Sequence, residues 1–223
     1  MGTRNRAQIV EALLDPGIVV VVRALSSAQV VPLSQALLRG GVVAVEITMT
    51  TPGAIEAIRT ARRVLPPEAL VGVGTVLDIA TAEAALEAGA EFVVTPICRT
   101  ELVQVAHAAG KPVMIGAYTP TEAQRAHEAG ADFVKLFPAD NLGPGYIKAL
   151  RAPLPHLRIV PTGGVTLETI GAFFAAGCAA VGTGSSLLSP AILKNEDWTA
   201  LTRLAASYVE AARIARGAAL AGK

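Results

Sequence analysis

Residues 129–135, Ala129-Gly130-Ala131-Asp132-Phe133-Val134-Lys135, have a counterpart at 88–94, Ala88-Gly89-Ala90-Glu91-Phe92-Val93-Val94. Looser copies stand at Gly40-Gly41-Val42-Val43-Ala44-Val45-Glu46 and Ala176-Gly177-Cys178-Ala179-Ala180-Val181-Gly182. In each, a stretch with helical spacing stops at a glycine and an apolar run follows. The glycine reads as the left-handed residue that ends a helix and turns the chain into a strand. Outward from these four copies, eight apolar runs bounded by Gly or Pro predict strands at 18–23, 43–48, 70–76, 92–96, 112–117, 133–138, 158–163 and 180–184. The copies precede the second, fourth, sixth and eighth. The runs are continuous rather than alternating, as parallel strands covered on both faces require. Eight βα units and no second composition regime predict a single domain over 1–223, an α/β fold of the closed (β/α)8 TIM-barrel type.

The flanks complete this pattern. A leading helix is predicted at about 4–14, and a final one at about 197–215 with Trp198, Leu201, Leu204, Tyr208 and Ala212 on one face. Residues 217–223 read as a frayed tail. Thr119-Pro120-Thr121-Glu122 is a capping box with Pro at the first helical position, and Thr51-Pro52 and Thr100-Glu101 are weaker helix starts.

Composition narrows the function. The 223 residues are 52% hydrophobic, and 19 basic side chains against 18 acidic give a net charge of +1. No basic run exceeds Arg62-Arg63, so neither nucleic acid nor an anionic membrane is an expected partner. The apolar runs break well before the roughly 18 residues of a membrane span. Cys98 and Cys178 form no CxxC pair and read as buried free thiols, and the location expected is cytoplasmic. His107, His127 and His156 have no metal-binding spacing and read as solvated surface residues. No metal is expected.

The repeats also place chemistry. Five residues on from each anchoring glycine stand Glu46, Val94, Lys135 and Gly182, so these four share one position on alternate strands. Alternate strands of such a barrel fill one interior layer. With the inward phase, an acid and a lysine face one another from opposite walls, with Val and Gly leaving space between them; a slip of one residue would turn all four outward. Lys135 lies within Phe133-Val134-Lys135-Leu136-Phe137-Pro138, where an ammonium is poorly solvated, and a neutral amine is a nucleophile toward carbonyls. The plainer alternative is a lysine that snorkels from the strand end or pairs with a surface acid. Glu46, in Val45-Glu46-Ile47-Thr48, is placed for proton shuttling, against the plainer role of a structural ion pair with Lys135.

Two glycine-rich segments end the seventh and eighth strands: Pro161-Thr162-Gly163-Gly164 and Gly182-Thr183-Gly184-Ser185-Ser186. Barrels often hold phosphate there, on backbone N–H groups and a short helix N-terminus. Neither completes a Walker loop or a dinucleotide fingerprint, which removes nucleotide cofactors. Thr75 and Arg23, at the ends of the third and first strands, either hold a substrate carboxylate or are ordinary rim polarity.

The segments Val45-Glu46-Ile47-Thr48, Gly72-Val73-Gly74-Thr75-Val76, Val94-Thr95-Pro96, Phe133 to Pro138 and Pro161 to Gly164 resemble the 2-keto-3-deoxy-6-phosphogluconate (KDPG)/4-hydroxy-2-oxoglutarate (KHG) aldolases, class I pyruvate aldolases of the Entner–Doudoroff pathway. The likeness covers about residues 10–205. It implies a homotrimeric, cofactor-free lyase that cleaves a phosphorylated 2-keto sugar acid to pyruvate and glyceraldehyde 3-phosphate, with 4-hydroxy-2-oxoglutarate as a further substrate. Lys135 would form the Schiff base and Glu46 would move protons. Thr75 would contact the pyruvate part, Thr50, Pro96, Thr162 and Arg23 would complete the substrate side, and Gly163, Gly164, Gly184 and Ser185 would hold the phosphate. Two positions depart from the family pattern: Thr50 stands where many members have Arg, leaving Arg23 as the substitute cation, and Ile97 stands where many have Gly. Residues 142–150 resemble the sister enzymes that act on the galactonate epimer. The competing readings are a phosphosugar isomerase or epimerase barrel, which would use paired acids or a metal instead of Lys135, and a non-catalytic phosphate-binding or scaffold protein.

Overall fold

All four predicted helix stops are realised in the backbone. In the computed structural model, which describes residues 4–221, Gly41, Gly89, Gly130 and Gly177 have φ of 86°, 101°, 93° and 87°. Each carries the same pair of capping bonds. At Gly130, for example, its N–H donates to His127 O (2.8 Å) and the Ala131 N–H donates to Ala126 O (3.1 Å). Gly110, at φ 69°, makes a fifth copy before the fifth strand. Its Lys111-Pro112 sequel does not match the other four.

The strands are β1 (Ile18–Val22), β2 (Ala44–Thr48), β3 (Leu70–Gly74), β4 (Val93–Val94), β5 (Val113–Ala117), β6 (Phe133–Leu136), β7 (Ile159–Pro161) and β8 (Val181–Thr183). They form one parallel sheet in the order β7-β6-β5-β4-β3-β2-β1-β8, and a parallel bridge from Thr162 to Gly182 brings its two ends together. The fold is the (β/α)8 barrel expected. Helix α1 (Arg6–Leu14) precedes it, α2 (Val30–Arg39) through α9 (Pro190–Asn195) alternate with the strands, and α10 (Trp198–Ala221) follows.

Two of the predicted helix starts are not caps. The Thr51 hydroxyl accepts from the Ala24 N–H at 3.2 Å, so it ties down the end of β1, and α3 (Ala54–Val64) starts after Gly53 at φ 67°. Thr100 has helical backbone angles and makes no side-chain cap to α5 (Glu101–Ala108). The Thr119 box is intact, each partner bonding the other's backbone at the start of α6 (Pro120–Glu128). Helix α10 runs past the expected end at 215, so residues 217–221 continue it; 222 and 223 lie outside the described residues.

Two apolar cores result. The outer one lies between strands and helices; the inner one fills the barrel with Val19, Leu70, Met114 and Val160 from odd strands and Ala44, Phe92, Phe133 and Ala180 from even ones. Ile9 and Leu13 of α1 pack into the inner core. Helix α1 therefore plugs the N-terminal end of the barrel. Two acids, both two residues after an anchoring glycine, help hold the segment around it. Glu91 meets Arg4 (3.0 Å) and Arg62 (2.7 Å), and Asp132 meets Arg6 (2.8 Å) and His107 (3.1 Å). His107 is thus half-buried and paired, unlike the exposed His127 and His156. Of the two free thiols Cys178 is buried, and that burial pushes its thiol up to about 12; Cys98 is half-exposed.

Candidate active site

Inward phase is settled by Phe133 and Ala44, two residues upstream of Lys135 and Glu46 in the inner core. Lys135 and Glu46 are 5% and 2% exposed, and Lys135 Nζ donates to Glu46 Oε1 at 3.2 Å. The space expected between them is closed. Part of the reason is Gly74, the last residue of β3: a Cβ there would stand 2.6 Å from both Cγ and Cδ of Glu46, so the carboxylate leans across a gap that glycine leaves. Gly182 leaves a gap too, which the Thr162 side chain occupies; a Cβ at 182 would come 3.1 Å from the Thr162 Cβ. The Phe137 ring lies 5.4 Å from Lys135 Nζ.

Beyond this layer the strand ends separate two groups of residues. Thr75 follows Gly74 directly and has φ 59°, a left-handed conformation that is rare for a β-branched residue and marks local strain. Pro96 stands half-buried at the end of β4, where the Thr95 hydroxyl bonds both the N–H and the carbonyl of Ile97 and turns the chain. Thr50 is exposed, and its hydroxyl lies 2.7 Å from that of Thr48, which donates to Val22 O. Its side chain is engaged with its own strand end and supplies no cation.

On the other side, a cavity of about 400 Å³ opens at the ends of β1, β6, β7 and β8. Its lining brings together Arg23, Thr162, Gly163, Gly164, Gly184 and Ser185. Phe137 also lines it, and so links the cavity to Lys135. Arg23 therefore lies with the glycine loops and not with Thr75, which follows a strand two places away. Gly163 and Gly164 have φ of 101° and 67°, which only glycine adopts without strain. The two loops are stitched together: Val165 O accepts from the Ser186 hydroxyl (2.6 Å) and the Thr183 hydroxyl (3.3 Å), while Thr169 donates to Gly164 O (2.7 Å). The expected helix N-terminus is absent here. A single turn, closed by Leu187 and Leu188 N–H on Gly184 O, follows β8, and α9 starts only at Pro190.

Nothing in the sequence marks Thr169 or the cavity-lining Asp140 as site residues, and Thr183 and Ser186, inside the glycine-rich segment after β8, have no role of their own by sequence. Their roles depend on contacts between strands far apart in the chain. Among the described residues no three His, Cys, Asp or Glu side chains converge on a metal position, and no helix is long and apolar enough to cross a membrane.

A closed barrel that carries a buried lysine–glutamate pair under glycine-lined loops is built like a Schiff-base lyase. The chain belongs to the KDPG and KHG aldolase family, whose sequence profile matches residues 9–204. It is accordingly an aldolase. It is 37% identical over 82% of its length to the 2-dehydro-3-deoxy-phosphogluconate aldolase of Pseudomonas aeruginosa, covering 83% of that protein. It is 39% identical over 68% of its length to the 2-dehydro-3-deoxy-6-phosphogalactonate aldolase of Escherichia coli, covering 75% of it. The KDPG aldolase of Legionella pneumophila, solved with pyruvate captured at low pH as a covalent carbinolamine intermediate, superimposes with a TM-score of 0.80 at 27% identity, over 90% of this chain and 97% of that one.

Proposed function

We propose that this aldolase cleaves 2-keto-3-deoxy-6-phosphogluconate or its galactonate epimer to pyruvate and glyceraldehyde 3-phosphate, and also takes 4-hydroxy-2-oxoglutarate. The observation that carries the proposal is the buried contact of Lys135 Nζ with Glu46 Oε1 at 3.2 Å inside the barrel. Lys135 passes a proton to Glu46, the freed amine attacks the C2 ketone, and loss of water from the carbinolamine leaves a protonated imine. Glu46, within hydrogen-bond reach of the same nitrogen, relays protons in that dehydration and then takes the proton of the C4 hydroxyl. The C3–C4 bond breaks, its electron pair moves into the imine to form an enamine, and the aldehyde leaves. Protonation at C3 and hydrolysis by water release pyruvate and return the amine. The imine is the electron sink, so these steps call on no added cofactor.

On this reading Thr75, next to the Gly74 that faces Glu46, meets the pyruvate end. On the same reading the distal phosphate is held by Arg23, Gly163, Gly164, Gly184 and Ser185, which line one cavity, with Arg23 serving that anion and not the carboxylate. The cavity suits a small ligand reaching from Lys135, past Phe137, to the loops of β7 and β8.

Oligomerisation is part of the proposal. Leu77, Ile79, Ile97 and Tyr118, each 42–49% exposed, follow β3, β4 and β5 at the mouth end of the barrel. Burying these side chains between subunits supports self-association, and the family resemblance makes the assembly a homotrimer. Light scattering at micromolar concentration reads it, and a monomer contradicts it. Two free thiols, one deeply buried, fit a cytoplasmic setting.

The central test is covalent trapping. Pyruvate with borohydride should inactivate the protein and leave a reduced adduct on Lys135, located by peptide mass spectrometry. A modification elsewhere, or none, removes the Schiff-base assignment.

A further inference from the structure

Among the residues that line the cavity at β7 and β8, Arg23 is the one cation and Asp140 the one anion. Asp140 sits against the glycines. A Cβ on Gly163 would lie 2.8 and 2.9 Å from the two carboxylate oxygens of Asp140, and one on Gly164 would lie 3.1 Å from its Cα. The turn that carries it is fixed from both sides. Ala139 N–H donates to Thr162 O (2.9 Å), and Ala139 O accepts from the N–H groups of Leu142 (3.2 Å) and Gly143 (3.0 Å). Asp140 is exposed, and its carboxylate stands on a backbone-fixed turn beside the loops that the proposed function assigns to phosphate.

We infer that Asp140 is a specificity-determining residue whose charge sets how strongly the distal pocket prefers a phosphate. The inference rests on the phosphate assignment above. A phosphate monoester carries a charge of about −1.5 to −2 near neutral pH, and a carboxylate at the cavity rim repels it, with solvent screening part of that repulsion because Asp140 is exposed. Arg23 and the loop N–H groups still attract the anion, so the pocket binds it, but with part of that attraction cancelled. An unphosphorylated 2-keto-4-hydroxy acid pays less of this cost. The wild-type protein thus treats the two substrate types more evenly than its glycine loops alone would.

The test is the ratio of kcat/KM on 2-keto-3-deoxy-6-phosphogluconate to that on 4-hydroxy-2-oxoglutarate, with inorganic phosphate as a competitor of the second substrate. Asp140→Asn removes the charge and keeps the shape; Asp140→Ser serves if the first variant does not fold. The ratio should rise about three- to ten-fold, and inorganic phosphate should compete at correspondingly lower concentration. Both activities come from one preparation, so a partly unfolded sample does not move the ratio. A ratio that stays or falls while phosphate still competes in the wild-type protein overturns the role of Asp140 and leaves the phosphate loops standing. Phosphate that competes in neither wild type nor variant removes the phosphate pocket itself, and the inference with it.

Discussion

Gly74 and Glu46 fit together as a gap and the side chain that fills it: the missing Cβ of Gly74 would overlap the Glu46 carboxylate. Gly74 does not have a positive φ, so its glycine serves space and not backbone freedom. The contact between Glu46 and Lys135 depends on that space.

Gly74→Ala should therefore displace the carboxylate without touching the amine. Turnover is expected to fall by about 10²-fold, the usual cost of shifting a reacting group by about an ångström. Borohydride trapping with pyruvate should persist. Steady-state kinetics alongside trapping checks both halves, and turnover at the wild-type level would show that the carboxylate has other room.

Glu46→Gln keeps the shape and removes the base. Cleavage should drop roughly 10²–10⁴-fold while some imine still forms, because the amine supplies the nucleophile and Glu46 the proton transfers. Single-turnover measurements separate the two steps. A folded variant that turns over normally would make Glu46 purely structural.

Gly184→Asp places a side chain and a negative charge where the β8 loop meets the cavity. A Cβ there meets nothing closer than Val21 O at 3.4 Å, so the backbone has room for the change. KM for the phosphorylated substrate should rise steeply, with far less change for 4-hydroxy-2-oxoglutarate. Equal losses on both would mean that the glycine shapes the rim and holds no phosphate.

At the closed end, Asp132 accepts hydrogen bonds from Arg6 Nε (2.8 Å) and Val113 N–H (2.9 Å) and pairs with His107. Asp132→Asn removes the charge from a 9%-exposed site that bonds Arg6, the His107 ring and a strand. A loss of about 1–3 kcal/mol is expected in urea unfolding, with kcat little changed below the transition. Unchanged stability would show that these bonds contribute nothing net.

The barrel and the Lys135–Glu46 layer were legible because both are written in local spacing. A helix stop fixes where the next strand starts, and a five-residue offset from it fixes which side chains point inward. Features decided between distant segments were not legible. Thr51 resembles a helix cap until its hydroxyl is claimed by Ala24, and β4 reads as five residues until Thr95 bonds Ile97 and ends it after two. Asp140 lies in an ordinary turn by sequence, and only the bond from Ala139 to Thr162 brings it to the glycines. Arg23 stands one residue past the end of β1, and its place with the glycine loops depends on β1 lying beside β8.

Helix α1 makes the barrel a cul-de-sac. With Ile9 and Leu13 driven into the inner core, anything that reaches Lys135 arrives and departs by the same mouth. On the proposed chemistry, the fragment tethered to the lysine lies deepest and the phosphorylated aldehyde lies nearer the opening. Products then leave in a fixed sequence, aldehyde first and pyruvate last. In the condensation direction the order reverses, so pyruvate must be loaded before its partner.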